Sequence, residues 1–164
     1  MPLNMLQSMC AYTEWANARL HTVLTGITEE EADRDLGGSF STIRRTVWHL
    51  SLAESLWTQR LGGVDAPVLP PEPGGQSFTE ELKAWVEFTS GLRAFADGLN
   101  GNDLESEIQY RKLDGSACQN RIGDIILHVC NHSTFHRGQL IHNLRQLGKP
   151  LLPNTDYITW CRGL

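Results

Sequence analysis

Four of the six histidines in the chain fall in one short stretch, as His128, His132, His136 and His142, while His21 and His49 stand apart. Neutral imidazole is the commonest protein ligand for transition metals. Residues four apart on an α-helix differ by about 40° in azimuth and about 6 Å in rise. Two imidazoles so placed can turn toward one ion at the roughly 2.0–2.1 Å of a zinc–nitrogen bond. His128/His132 and His132/His136 both satisfy that spacing. All three together drift by about 80° around the helix, so the spacing leaves open which pair is used. Two ligands seldom hold a metal well, and a third must come from another segment. His49 is the best-placed candidate, although a lone histidine amid Trp48, Leu50 and Leu52 reads rather as a core residue bonded to a backbone carbonyl. His21 and His142 read as exposed or boundary residues.

The elements that must position these side chains are helical. Leu6, Met9, Cys10, Thr13, Ala16, Asn17 and Leu20 approximate a three-and-four spacing, which predicts a helix from Leu3 to Leu24. Thr28 followed by three glutamates is a capping box for a short second piece, broken at Gly37-Gly38. The helix bearing His49 starts near Ser41, buries Ile43, Val47, Leu50, Leu52, Leu56 and Trp57, and ends at Gly62-Gly63. A proline- and glycine-rich stretch to Gly75 reads as a surface loop. A further helix runs from about Phe78 to Leu99, and residues 105–118, with Asp114-Gly115 at their centre, suggest a small hairpin. The longest helix, Arg121 to Leu147, carries the histidine cluster and stops at Gly148 before Pro150. Asn154-Thr155-Asp156 caps a last short helix with Tyr157, Ile158 and Trp160. Four substantial helices joined by loops predict an all-α four-helix bundle, with core packing as the role of most of the five tryptophans.

Bulk composition is consistent with that architecture. A chain of 164 residues, 40% hydrophobic and 20% charged, fits one domain over residues 1–164 with a real core. The net charge of −5 and the absence of a dense basic run argue against nucleic acid as a partner. The opening MPLNMLQSMC lacks the basic stretch and apolar block of a signal peptide. No run approaches the about 18 apolar residues that a membrane-spanning helix needs. Cys10, Cys118, Cys130 and Cys161 are scattered without a Cys-x-x-Cys pair. A cytoplasmic protein with reduced thiols, not associated with membranes, is the expectation.

The segment LHVCNHSTFHRGQLIHNLRQLGKP, residues 127–150, resembles the signature of the DinB/YfiT-like family: a histidine, two apolar residues, Asn-His, three residues, then His-Arg-Gly-Gln. Upstream, SFSTIRRTVWHLSLAESLW (residues 39–57) resembles the family's second-helix segment, and LLPNTDYITW its C-terminus. The resemblance implies a four-helix bundle in up-down-down-up order and a metal triad of one second-helix histidine with the two of His-x-x-x-His. Matched position by position, these are His49, His132 and His136. His128 matches a frequent family histidine outside the triad, which supports the site or points into the pocket. Many members have two adjacent histidines before Arg-Gly-Gln, and here the first is Phe135. Asn131 and Ser133 are candidates to orient the ligands, Arg137 and Gln139 to tie the helix to neighbouring loops, and Gly138 to permit close helix approach at about 1 kcal/mol in propensity.

Three imidazoles with an open position are the pattern of a catalytic rather than a structural zinc site. Zinc or nickel is the expected ion, and iron and copper also suit imidazole. The resemblance implies an enzyme acting on a small-molecule substrate with a low-molecular-weight thiol such as bacillithiol or mycothiol, and a homodimer formed by helix packing. Metal-assisted hydrolysis by the same ligands and a stress-linked metal-binding protein without catalysis are the alternatives.

Overall fold

The computed structural model describes residues 1–163. It is mostly helical, with 61% of residues in six helices beside one two-stranded sheet. The helices are α1 (Leu3–Leu24), α2 (Glu29–Asp33), α3 (Ile43–Leu61), α4 (Phe78–Asp97), α5 (Ile122–Gln146) and α6 (Tyr157–Cys161). The strands are β1 (Glu107–Arg111) and β2 (Ala117–Arg121). No described helix is long and apolar enough to cross a membrane.

Local signals set the boundaries. Thr28 and Glu31 form the reciprocal capping box that opens α2, and Ser77 with Glu80 does the same for α4. Thr42 caps α3 by accepting from the Arg45 amide, one residue after the expected start. Gly148, at a φ of 73°, lets the chain turn away after α5. The cap of α6 differs from expectation. Asp156 occupies the N-cap position without a side-chain bond, and Asn154 Oδ1 instead accepts from the Asp156 amide at 2.8 Å. In the hairpin, Tyr110 pairs with Cys118, and β2 continues to Arg121 and leads directly into α5. The strand thus runs three residues past the hairpin expected over 105–118, and residues 119–121 carry no apolar alternation to mark it.

Helices α1 and α3 each pack against both α4 and α5, so the four long helices enclose one interior. That interior holds two apolar clusters. One contains Leu20, Leu24, Ile43, Val47, Leu50, Leu82, Trp85, Leu140 and Leu144. The other contains Leu6, Cys10, Leu61, Leu92, Ile125, Ile126, Val129 and Cys130. Along every long helix buried polar residues lie between the two clusters: Thr13 and Asn17, Ser51 and Glu54, Thr89, and Ser133 with Arg137. His132 and His136 flank Ser133 at this level of α5, and His49 lies just before it on α3, next to Leu50. Of the five tryptophans only Trp85 is fully buried, so core packing describes one of them and the others are half-buried.

Candidate metal centre

His49 comes from the middle of α3, and His132 and His136 come from successive turns of α5. Each offers a ring nitrogen such that all three atoms lie within 4.8 Å of one another. The Nε2 atoms of His49 and His132 are 2.9 Å apart. A tetrahedral ion with bonds of about 2.05 Å holds its nitrogen donors about 3.3 Å apart, so these separations bracket the required value. No fourth histidine, cysteine or acidic side chain joins the group among the described residues.

The electrostatics also fit. Burial pushes His49 down to about 4, with the charge of His136 adding to the effect. Burial likewise pushes His132 down to about 4, helped by His136, His49 and His128. His136 is lowered by burial, against a hydrogen bond to Gln139 that works in the opposite direction. At neutral pH all three rings are therefore uncharged donors, the form that a cation requires.

Packing and one hydrogen bond fix the rings. His136 Nδ1 donates to Gln139 Oε1 at 2.7 Å, which leaves Nε2 as the free lone pair. Phe40 stacks on His49 at 4.2 Å between centroids and meets His136 edge-on at 5.5 Å. Phe40 is held by the turn before α3, where the Leu36 amide donates to the Ser41 carbonyl at 2.7 Å and Ser41 adopts a φ of 50°. His132 Nδ1 is buried without a hydrogen-bond partner.

Of the candidates outside the triad, His128 is exposed, with its ring 5.9 Å from His132 and edge-on to Trp57. Asn131 is exposed and points away from the triad, because position 131 falls on the solvent face of α5. Ser133 bonds to Glu54 rather than to a ligand. Arg137 ties α5 to α1 through Asn17 Oδ1 at 3.1 Å, not to a loop. Gly138 makes no close helix approach, since a Cβ there would meet nothing within 4 Å. Sequence reasoning missed Gln139 as the partner of His136, although its i+3 placement carried the signal. It also missed Phe40, whose role depends on a loop conformation that no spacing encodes.

Two clefts are lined by residues that touch or adjoin the triad histidines, though by none of the three themselves. One, of about 350 Å³, is lined by Phe40, Ser41, Phe135, Gly138, Gln139 and His142 among others. The other, of about 290 Å³, is lined by Trp57, Tyr110, Asn120, Asp124, Ile125 and His128.

A mostly helical fold with three neutral imidazoles from two facing helices defines a class, the helical proteins whose core can hold a divalent metal. The chain belongs to the DinB family, whose model matches residues 1–161. It is 24% identical over 151 residues to Protein DinB of Bacillus subtilis (strain 168), covering 89% of this chain and 87% of that one. A DinB-like protein of Bacillus subtilis superposes with a TM-score of 0.69 at 15% identity, over 90% of this chain and 97% of that chain. A second, from Bacillus cereus ATCC 10987, gives a TM-score of 0.62 at 18% identity, over 85% and 90% respectively.

Proposed function

We propose that the protein is a divalent-metal-dependent enzyme that activates a low-molecular-weight thiol for transfer to an electrophilic small molecule. One observation carries this reading: three neutral imidazoles converge without a fourth protein ligand among the described residues, and their neighbours Phe40, Gln139 and His128 line clefts of small-molecule size. His49, His132 and His136 would hold the ion, zinc or nickel by donor type. When bound, a divalent cation there supplies Lewis acidity that favours the thiolate form of a bound thiol. Gln139 keeps His136 in the tautomer whose Nε2 lone pair faces the centre. Phe40 would help hold the rings, stacking on His49 and meeting His136 edge-on. The up-down-down-up order of helices, a cytosolic location and a homodimeric state belong to the same reading.

The test begins with metal analysis of untagged protein purified without chelator, beside His49→Ala and His132→Ala. Near-stoichiometric metal in the wild type and its loss in both variants is the expected result. Cobalt-substituted protein should then develop a thiolate charge-transfer band on adding a small thiol. Wild-type protein that stays empty after incubation with zinc or nickel would sink the proposal. A cobalt protein indifferent to thiols that hydrolyses generic esters would replace thiol transfer with hydrolysis.

A further inference from the structure

Three arginines are buried among the described residues: Arg44, Arg60 and Arg137. Two of them are compensated. Arg44 forms ion pairs with Glu29, Asp33 and Glu81. Arg137 bonds to Asn17 and Thr134, and its charge lies near that of the buried Glu54. Arg60 is different. It is 7% exposed and, like Arg137, forms no ion pair among the described residues, but unlike Arg137 it has no side-chain acceptor there either. Among the described residues its one hydrogen bond runs from an Nη to the Arg111 carbonyl at 2.6 Å, and its buried Nε–H has no acceptor. Its guanidinium lies 4.9 Å from the Trp57 ring and 4.7 Å from the Tyr110 ring. Burial pulls its pKa down, as expected of a cation lacking a counter-charge. An unpaired buried charge is costly to keep, and Arg60 has neither the ion pairs of Arg44 nor the side-chain acceptors of Arg137.

Arg60 also has space beside it. With Val64, Asp65, Gln109, Tyr110 and Arg111 it lines a cleft of about 370 Å³. Tyr110 is shared with the cleft that reaches His128, whose ring adjoins His132. Arg60 stands eleven residues after His49 on α3, which is about 16 Å along the axis and about 20° in azimuth, hence on the same face. The two clefts meet at Tyr110, and the second ends at His128, whose ring lies 5.9 Å from that of His132.

We propose that Arg60, with Arg111 at the rim, is an oxyanion subsite that holds the carboxylate or phosphate end of an extended small molecule whose other end reaches the triad. The pairing of this subsite with a thiol rests on the function proposed above; the subsite itself does not. Guanidinium suits oxyanions because its planar N–H fork matches their geometry, and the aromatic rings against it keep that fork in place. Asp65 is the opposing charge in the cleft and limits affinity for an anion. A ligand with an anionic end fits this cleft, and a purely apolar one leaves Arg60 without its counter-charge.

The experiment uses the full-length, metal-free protein and two probes, succinate and inorganic phosphate, with sodium chloride at matched ionic strength as control. Proton–nitrogen NMR should show saturable shifts of the Arg60 Nε–H and of the Tyr110 and Arg111 amides with at least one probe. Arg60→Gln should weaken binding at least about tenfold. Arg60→Lys should retain part of it, and Asp65→Asn should tighten it by about two- to threefold. The variant spectra also report folding, and the Asp65 variant leaves the packed arginine in place. Shifts that do not saturate, that chloride reproduces, or that persist unchanged in Arg60→Gln would overturn the subsite. Because no metal or thiol enters this titration, its outcome is independent of the metal analysis. Cobalt protein then decides the pairing. A thiol bearing a distant carboxylate should bind more tightly than its ester in the wild type and equally in Arg60→Gln; no difference in the wild type would separate the subsite from the triad.

Discussion

Ser133 Oγ donates to Glu54 Oε1 at 2.7 Å, which joins the residue after His132 to a carboxylate five residues beyond His49. The two helices that supply the triad are thereby fastened to each other just inside the core. Asn17 from α1 and Thr89 from α4 also donate to the same carboxylate, so all four long helices meet at Glu54. This polar layer separates the two apolar clusters and sets the register at which His49 faces His132 and His136. Sliding α3 by one turn would take Glu54 away from all three donors, and sliding α5 would remove Ser133, in a core where an unsatisfied carboxylate is strongly disfavoured.

Glu54 is completely buried, and burial raises its pKa against the opposing effect of its three donors and of Arg137. Glu54→Ala leaves those donors and the Arg137 charge unmatched, and it is expected to cost about 3–5 kcal/mol in urea unfolding. Glu54→Gln retains an acceptor oxygen and should cost less. Equal and small losses in the two variants would show that the layer does not hold the helices together.

Removing the side chain of Gln139 tests the orientation of a ligand without touching the triad. The Gln139→Ala variant frees His136 Nδ1, and metal affinity should fall by about 10–100-fold as the ring loses its fixed tautomer. Competition with a chromophoric chelator measures this directly. An unchanged affinity would mean that Phe40 and Phe135 alone hold the ring.

The histidine centre was partly legible in the chain because it depends on helical spacing. The i, i+4 relation brought His132 within reach of either neighbour, but it could not choose between His128 and His136, since both lie on turns adjacent to it. The structure separates them by depth: His136 is 5% exposed, whereas His128 lies on the open side of α5 near Trp57. The four long helices were likewise readable from apolar periodicity and caps. The polar layer was not, because Asn17, Glu54 and Thr89 look like solvated helix positions until three other helices cover them. Arg60 likewise looks like a solvated helix position until Tyr110 and Arg111 of the hairpin, remote in sequence, cover it.

The depressed histidines give the metal-free protein a definite pH dependence. His49 and His132 titrate near 4 when folded, whereas a free imidazole titrates near 6.5. Between those values the unfolded chain binds more protons, so their contribution to stability is complete above about 6.5 and is lost as pH falls toward about 4. Glu54, shifted upward, acts in the opposite sense. The histidine part is therefore read as the difference between wild type and His49→Gln in the presence of chelator. The wild-type melting temperature should fall more steeply between pH 6.5 and 5, whereas parallel profiles would show that His49 is not depressed.

Two glycines of α5 make opposite predictions. Gly138 is exposed and lies well inside the helix, and a Cβ there would meet nothing within 4 Å. Gly138→Ala should therefore gain helix propensity without strain, about 0.5–1 kcal/mol, or a rise of about 1–4 °C in melting temperature for a chain of this size. Gly123 sits in the first turn, and there a Cβ would come within 3.1 Å of the Leu104 carbonyl oxygen and 3.5 Å of its Cβ. The segment containing Leu104 packs against α5, and Ile122 donates to the Ser106 carbonyl at 2.9 Å, so the neighbour has little room to yield. Gly123→Ala should forfeit the propensity gain and lower the melting temperature. Thermal unfolding of the two variants side by side decides the matter. A Gly138→Ala variant that loses stability would mean that the backbone at 138 is more tightly enclosed than its open surroundings imply, and the cleft beside Phe40 would have to be smaller.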